Sequence, residues 1–229
     1  MSAQTCGCRR DRKSTVTKIE LVMKLVFCGA SNVLNFGLES DQLGCSDQVA
    51  KHFNMPLLKI AVNGGSNDFV IRSVKEYVEN NHPTLLIIGL QTWEREEWLH
   101  GGQYYQINST GSDNLPTALH QRYKQWILDQ PSDPKYLGYM WHDRVWQLHT
   151  ELKQKNIQHV FYNEMYPFVV PSPLDWGSSF IGPYERDLTY YWHMHGKGYQ
   201  HDDFYHYGID GHTAWAKMLI NHIEKYQLI

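Results

Sequence analysis

No run of apolar residues in this 229-residue chain approaches the roughly 20 needed to cross a bilayer, so no membrane span is expected. Cysteine is scarce: Cys6, Cys8, Cys28 and Cys45 only. Cys6-x-Cys8 has no second pair at zinc-finger spacing, which argues against a structural zinc site. Cys28 ends an apolar run and reads as a small core residue, and such thiol usage fits a reducing compartment. Neither sign of charge dominates. A formal charge of −3 gives no reason to expect nucleic acid or an anionic membrane as a partner. The N-terminal stretch is polar and basic and has no apolar signal core, so a cytoplasmic location is expected. Because Met23 directly precedes the first apolar run, residues 1–22 read as a disordered extension or as the product of a misassigned upstream start.

Aromatic residues are plentiful: 15 Tyr, 8 Trp and 8 Phe, most of them after residue 90, together with 13 His. Surplus Tyr and Trp in loops can stack on flat ligands or sugar faces, or can pack amphipathically beneath long loops. With 42% apolar and 20% charged residues, the chain suits a globular domain with a sizeable core, expected as one unit over 23–229.

Hydrophobic patterning predicts β-α-β-α-β at the start. Strands are expected at 23–30, 56–62 and 83–92 and helices at 46–54 and 66–80, with Ser46 as an N-cap of the first helix. Short connections between these elements imply a parallel sheet with right-handed crossovers. Further helices are expected at 115–130, 138–156 and 211–228, and a fourth strand at 157–163. Residues 93–115 and 164–205 read as long loops, which in a compact domain usually serve as lids or binding segments.

Several chemistry-bearing residues then fall at one sheet edge. "CGASN" places Ser31 just after the first strand, "AVNGGSN" places Gly64 after the second, and "IIGLQTWERE" places Gln91 and Thr92 after the third. "DFYHYGIDGHTAWA" brings Asp203 and His206 ahead of the last helix. A serine hydroxyl needs an imidazole to take its proton, and the imidazole needs a carboxylate to fix its tautomer. A developing oxyanion needs donors, and glycine lets backbone N–H groups approach closely.

These blocks, in this order over residues 24–220, resemble those of the SGNH hydrolases, the superfamily of GDSL esterases and lipases. The resemblance implies a three-layer α/β sandwich around a central parallel sheet, flavodoxin-like in layout. It implies ester hydrolysis with Ser31 as nucleophile, His206 as general base and Asp203 as its orienting carboxylate. The N–H groups of Ser31 and Gly64 would be oxyanion donors. Where the family supplies a third donor from an Asn after the third strand, this chain offers Gln91 or Thr92, with Asn67 as a further possibility. The Thr-Trp third block and the "GH…WA" ending are also similar to small SGNH-like proteins encoded by phages, for which the location would be the cytoplasm of an infected host.

The aromatic loops lead us to expect an O-acylated sugar or polysaccharide as substrate, with Trp93, Arg95 and Trp98 in contact with it. No cofactor is expected. The alternative function is a weak or inactive SGNH-fold binding module, or a phage accessory or structural component, motivated by the missing Asn.

These residues also admit other readings. Ser31 could be a helix N-cap. His212 rivals His206, and Asp202 rivals Asp203. His193, His195 and His201 could ligate a divalent ion, although His-x-His in an aromatic loop is more often solvent-facing or hydrogen-bonded, and no metal is expected. Glu94, Arg95, Glu96 and Glu97 could form ion pairs at a pocket rim. "NGGSN" lacks the lysine of a phosphate loop.

Overall fold

A computed structural model describes residues 23–131, 135–203 and 205–229. The expectation for residues 1–22 lies outside them. The chain runs β1 (Leu25–Gly29), α1 (Cys45–His52), β2 (Leu57–Ala61), α2 (Asn67–Asn80), β3 (Leu85–Leu90), then β4 (Glu96–His100) and β5 (Gln103–Ile107). It continues with α3 (His120–Leu128), α4 (Lys135–Gln154), β6 (His159–Asn163), β7 (Phe180–Ile181), α5 (Tyr190–His195) and α6 (Ile209–Tyr226).

The main sheet has the order β2-β1-β3-β6-β7, with every neighbouring pair parallel. Alternation along its strands divides the core into two layers, because successive side chains point to opposite faces. Leu25, Phe27, Leu85 and Ile87 pack with Val49 of α1 and Trp215, Leu219 and Ile223 of α6. Val26, Cys28, Leu86 and Ile88 pack with Val70, Val74 and Val78 of α2 and Trp141, Val145 and Leu148 of α4. The expected three-layer α/β sandwich is therefore the fold found. Its strand order is that of flavodoxin-like proteins, in which ligands bind outside the carboxyl ends of the strands where the order reverses, here between β1 and β3.

The local differences have physical causes. Ser46 does not cap α1. Gly44 holds that position, and the buried Ser46 hydroxyl donates to the Val33 carbonyl at 3.4 Å. Ser66 does cap α2, accepting from Phe69 N–H at 3.2 Å. The expected loop at 93–115 contains the antiparallel hairpin β4–β5, closed by Gly101 and Gly102 with φ of +57° and +80°. Two positive-φ residues make the tight turn that matches the twist of paired strands. A satellite core of Trp98, Ile107, Leu119, Tyr123 and Trp126 holds the hairpin to α3. Glu97, whose side chain is 4% exposed, receives Arg72 Nε and Nη2 from α2 at 2.7 and 2.8 Å. The expected loop at 164–205 contains the short edge strand β7 and helix α5.

Candidate active site

Ser31 lies two residues beyond the end of β1, in a series of turns rather than at a helix start. Its carbonyl accepts from Leu34 N–H at 3.0 Å and Phe36 N–H at 3.2 Å. The N-cap reading of Ser31 therefore does not apply. Its hydroxyl instead meets His206 Nε2 at 3.0 Å. Residues 31 and 206 come together because the turn after β1 presses against the segment leading into α6. Gly37, at φ +87°, makes that approach possible: a Cβ there would lie 2.7 Å from the Tyr207 carbonyl oxygen and 2.9 Å from the Cβ of His206. The Phe36 ring packs against the imidazole with centroids 5.3 Å apart.

The carboxylate on this histidine belongs to Asp202, which corrects the assignment of Asp203. Asp202 Oδ2 is 2.9 Å from His206 Nδ1, and Oδ1 accepts the backbone N–H of His206, also at 2.9 Å. The reason is local. The segment is not a helical turn, in which a three-residue spacing would align the side chains. It is a tight loop in which Asp202 N–H donates to the His206 carbonyl at 3.1 Å and Tyr205 takes φ +63°. This closure sets residue 202 opposite residue 206 and leaves Asp203 exposed on the loop, where it lines the cleft. An imidazole that donates Nδ1–H to Asp202 presents the lone pair of Nε2 to the Ser31 hydroxyl.

His212 is excluded as the base. It is buried; its Nδ1 accepts from Cys45 N–H at 3.1 Å, and Nε2 faces the Phe36 carbonyl at 3.4 Å. Burial pushes its pKa down to about 4, so it stays neutral and holds the two loops together.

The oxyanion candidates separate clearly. Gly64 lines the cleft at φ +67°, and a Cβ there would lie 2.6 Å from Asn108 Nδ2. Asn67 is removed from consideration. It is fully buried, its Oδ1 accepts Gln91 N–H at 2.7 Å, and its Nδ2 donates to the Gln91 carbonyl at 3.1 Å. It clamps the backbone after β3 and does not line the cleft. The Gln91 amide is also engaged, since Nε2 donates to the Gly89 carbonyl at 3.1 Å. Thr92 differs: it lines the cleft, and its buried hydroxyl has no hydrogen-bond partner among the described residues.

Of the expected substrate contacts, Arg95 lines the cleft but Trp93 and Trp98 do not. Trp93 is buried and stacked on Phe168 at 4.9 Å; Trp98 is buried beneath Arg122 and donates to Glu96. Both indoles are framework, and both border a neighbouring cavity of about 520 Å³. The WEREEW acids also have separate duties. Glu96 accepts from the indoles of Trp98 and Trp126, and Glu97 pairs with Arg72. In the His-rich loop, His193 meets Lys197 Nζ at 2.9 Å and His195 stacks on Tyr191. Among the described residues, no three His, Cys, Asp or Glu side chains converge as metal ligands.

One residue was not anticipated. Glu164 follows β6 and lines the cleft although it is 6% exposed. Its Oε2 accepts Asn32 Nδ2 at 2.6 Å, and its Oε1 accepts from the Tyr162 hydroxyl at 3.4 Å. Burial pushes its pKa up to about 7, against the opposing influence of Asn32, Gln91 and Arg95. The only signal in the sequence was its position at a strand's carboxyl end.

The cleft holds about 920 Å³. The sheet edge forms its floor, the β4–β5 hairpin supplies Gln103–Gln106 to one wall, and Tyr191 and Tyr205 stand on the other. Asn63, Asn108, Thr110 and Asn114 add neutral hydrogen-bonding groups to a lining that also carries Glu94, Arg95, Glu164, Asp202 and Asp203.

No protein-family model and no curated protein matches the chain. Among solved structures, the chain is similar to the psychrotrophic esterase EstA from Pseudoalteromonas sp., inhibited by monoethylphosphonate, at 11% identity and a TM-score of 0.51, covering 89% of this chain and 98% of that one. It also matches an acetyl xylan esterase, Est2A, from Butyrivibrio proteoclasticus at 13% identity and a TM-score of 0.43, over 90% of this chain and 64% of that one. The resemblance to phage-encoded proteins gains no support from these matches. What the comparison with EstA establishes is architecture: this chain has the fold of an esterase, the α/β sandwich with a central parallel sheet that its motifs imply.

Proposed function

We propose that the protein is a serine-dependent carboxylic ester hydrolase of the SGNH type acting on O-acylated carbohydrate. One observation carries this reading: Ser31, His206 and Asp202 form a continuous hydrogen-bonded chain, with links of 3.0 and 2.9 Å, at the carboxyl edge of the sheet and inside a cleft. Ser31 Oγ attacks the ester carbonyl as its proton passes to His206 Nε2. Asp202 steadies the imidazolium that forms. The Ser31 and Gly64 N–H groups and the Thr92 hydroxyl are the donors for the oxyanion. Collapse of the tetrahedral intermediate expels the alcohol, which takes the proton from His206 and leaves Ser31 acylated. A water then gives its proton to His206 and attacks the acyl carbon, releasing the acid and restoring the serine.

A carbohydrate alcohol suits a lining of Asn, Gln and Thr edges with partly exposed Tyr104 and Tyr205 rings, which can hydrogen-bond hydroxyls and cover a sugar face. Labelling with a fluorophosphonate tests the chemistry. Wild type is expected to react and Ser31→Ala not to react. Acetate release from acetylated glycans tests the substrate class; cleavage of short p-nitrophenyl esters with none of acetylated glycans refutes the carbohydrate assignment.

The second reading, an SGNH-fold binding module, is favoured by one feature. Gln91 occupies the place of the family's donor Asn, and its amide is turned onto the Gly89 carbonyl. An absence of labelling in wild type supports that reading.

A further inference from the structure

Five arginines lie among the described residues, and four have an evident counterpart for their charge. Arg72 pairs with Glu97 and Glu76, and Arg144 with Asp68 at 2.6 Å. Arg122 lies 3.9 Å above the Trp98 ring, and Arg186 lies 3.3 Å above Trp192. Arg95 differs. No carboxylate among the described residues comes within 4 Å of it, and none of their rings covers it.

Its hydrogen bonds are two long ones from Nη1, to the Gly65 carbonyl and to Gln91 Oε1, both at 3.3 Å. Nε and Nη2 have no partner among the described residues. Glu94 and Glu164 attract the guanidinium across the site, but burial outweighs them and lowers its proton affinity. Arg95 is half-buried, and Nε and Nη2 are not among the buried polar atoms that lack a partner, so these donors face open space where a bound anion can meet them. Arg95 also lines both the Ser31 cleft and the neighbouring cavity, so a group bound to it sits between the two.

We propose that Arg95 recognises a carboxylate on the substrate, so that the ester cleaved at Ser31 is carried on an acidic saccharide such as a uronate-containing glycan. The planar fork of guanidinium donors matches a carboxylate with two parallel hydrogen bonds, whereas the neutral Asn, Gln and Thr groups around the cleft suit its hydroxyls. This inference rests on the ester-hydrolase reading for its reaction, but not for its binding contact.

The experiment compares acetate release from O-acetylated oligogalacturonide and from O-acetylated xylo-oligosaccharide by wild type, Arg95→Met and Arg95→Lys. Wild type is expected to favour the acidic substrate in kcat/KM by about tenfold or more, the scale of one charge-assisted contact. Arg95→Met should bring that ratio close to one, and Arg95→Lys, which keeps the charge but loses the fork, should give an intermediate ratio. If Arg95→Met does not fold, as read from its melting curve, the lysine variant carries the comparison. A wild-type preference for the neutral glycan, or an acidic preference undiminished in both variants, overturns the proposal. If neither glycan is cleaved and the fluorophosphonate fails to label Ser31, it is the hydrolase reading that has failed. Calorimetric binding of unacetylated oligogalacturonide to wild type, weakened in Arg95→Met, still supports the carboxylate contact, and no binding by wild type overturns it.

Discussion

Asn32 Nδ2 donates to Glu164 Oε2 at 2.6 Å, tying the residue next to Ser31 to the end of β6 across 132 positions of sequence. The bond joins the Ser31 turn to a buried carboxyl whose pKa burial pushes up to about 7.

That raised value has a consequence for stability. In the unfolded chain a glutamate titrates near the usual carboxylate value, so between about pH 4.5 and pH 7 the folded state holds the extra proton. Stability is therefore lost as pH rises through this window and levels off above it. Glu164→Gln removes the titration. Its stability relative to wild type should improve by roughly 3 kcal/mol at most between pH 5 and pH 8. Urea denaturation of both proteins at the two pH values checks this, and a constant difference refutes it.

Asp202 and Asp203 are adjacent but should not be equivalent. Asp202→Asn removes the carboxylate from His206 Nδ1 and should lower kcat by about 10³- to 10⁴-fold. Asp203→Asn alters only an exposed side chain of the cleft and should stay within about threefold. Steady-state hydrolysis of p-nitrophenyl acetate distinguishes the two.

Thr92→Val keeps the volume of the side chain and removes its unpartnered hydroxyl. The loss of an oxyanion donor should reduce kcat by about 10²-fold with little change in KM. Removing an unsatisfied buried hydroxyl should leave the fold as stable as wild type or more stable by about 1 kcal/mol. A slower and no less stable enzyme marks a functional hydroxyl, and Thr92→Ser should recover most of the rate. Unchanged kcat in Thr92→Val removes this residue from the oxyanion site.

Arg72→Met strands the carboxylate of Glu97 in a nearly closed environment, with Gln106 Nε2 still donating to it at 2.7 Å. Breaking a buried pair in this way costs about 3 kcal/mol or more. The hairpin should loosen first, so limited proteolysis should cut near Gly101–Gly102 before urea unfolds the sheet. Simultaneous loss of both in one transition refutes a locally anchored hairpin.

Much of this architecture could be read from residue patterns. The apolar runs of β1 and β3 are continuous because both faces of those strands are buried, and a run of that kind is visible without its neighbours. The positions of Ser31, Gly64, Gln91, Thr92 and His206 follow from strand ends and helix starts. Other features depend on contacts that no local pattern encodes. β4 was hidden because Glu96 and Glu97 look solvent-facing, and it is Trp98, Trp126, Arg72 and Gln106 that make their burial tolerable. The SGNH resemblance implied Asp203 as the carboxylate, but Tyr205 takes a left-handed conformation and the loop sets Asp202 on His206. Trp93 and Trp98 looked like ligand platforms, yet their faces are already taken by Phe168 and Arg122. Glu164 has one partner nearby in sequence, the Tyr162 hydroxyl at 3.4 Å, but its short bond comes from Asn32 at the end of another strand, which no local pattern encodes.

The hairpin wall of the cleft is built on a satellite core of its own, while Ser31, Gly64 and Thr92 stand on turns of the main sheet. The wall and the Ser31 turn thus rest on different cores, joined where Gln106 of β5 accepts from the Ser66 N–H and hydroxyl at the head of α2. The tip of β4–β5 can be lengthened, shortened or grafted from another protein to reshape the cleft wall, and the sheet beneath will hold its own turns in register as long as the Arg72–Glu97 and Ser66–Gln106 bolts are retained.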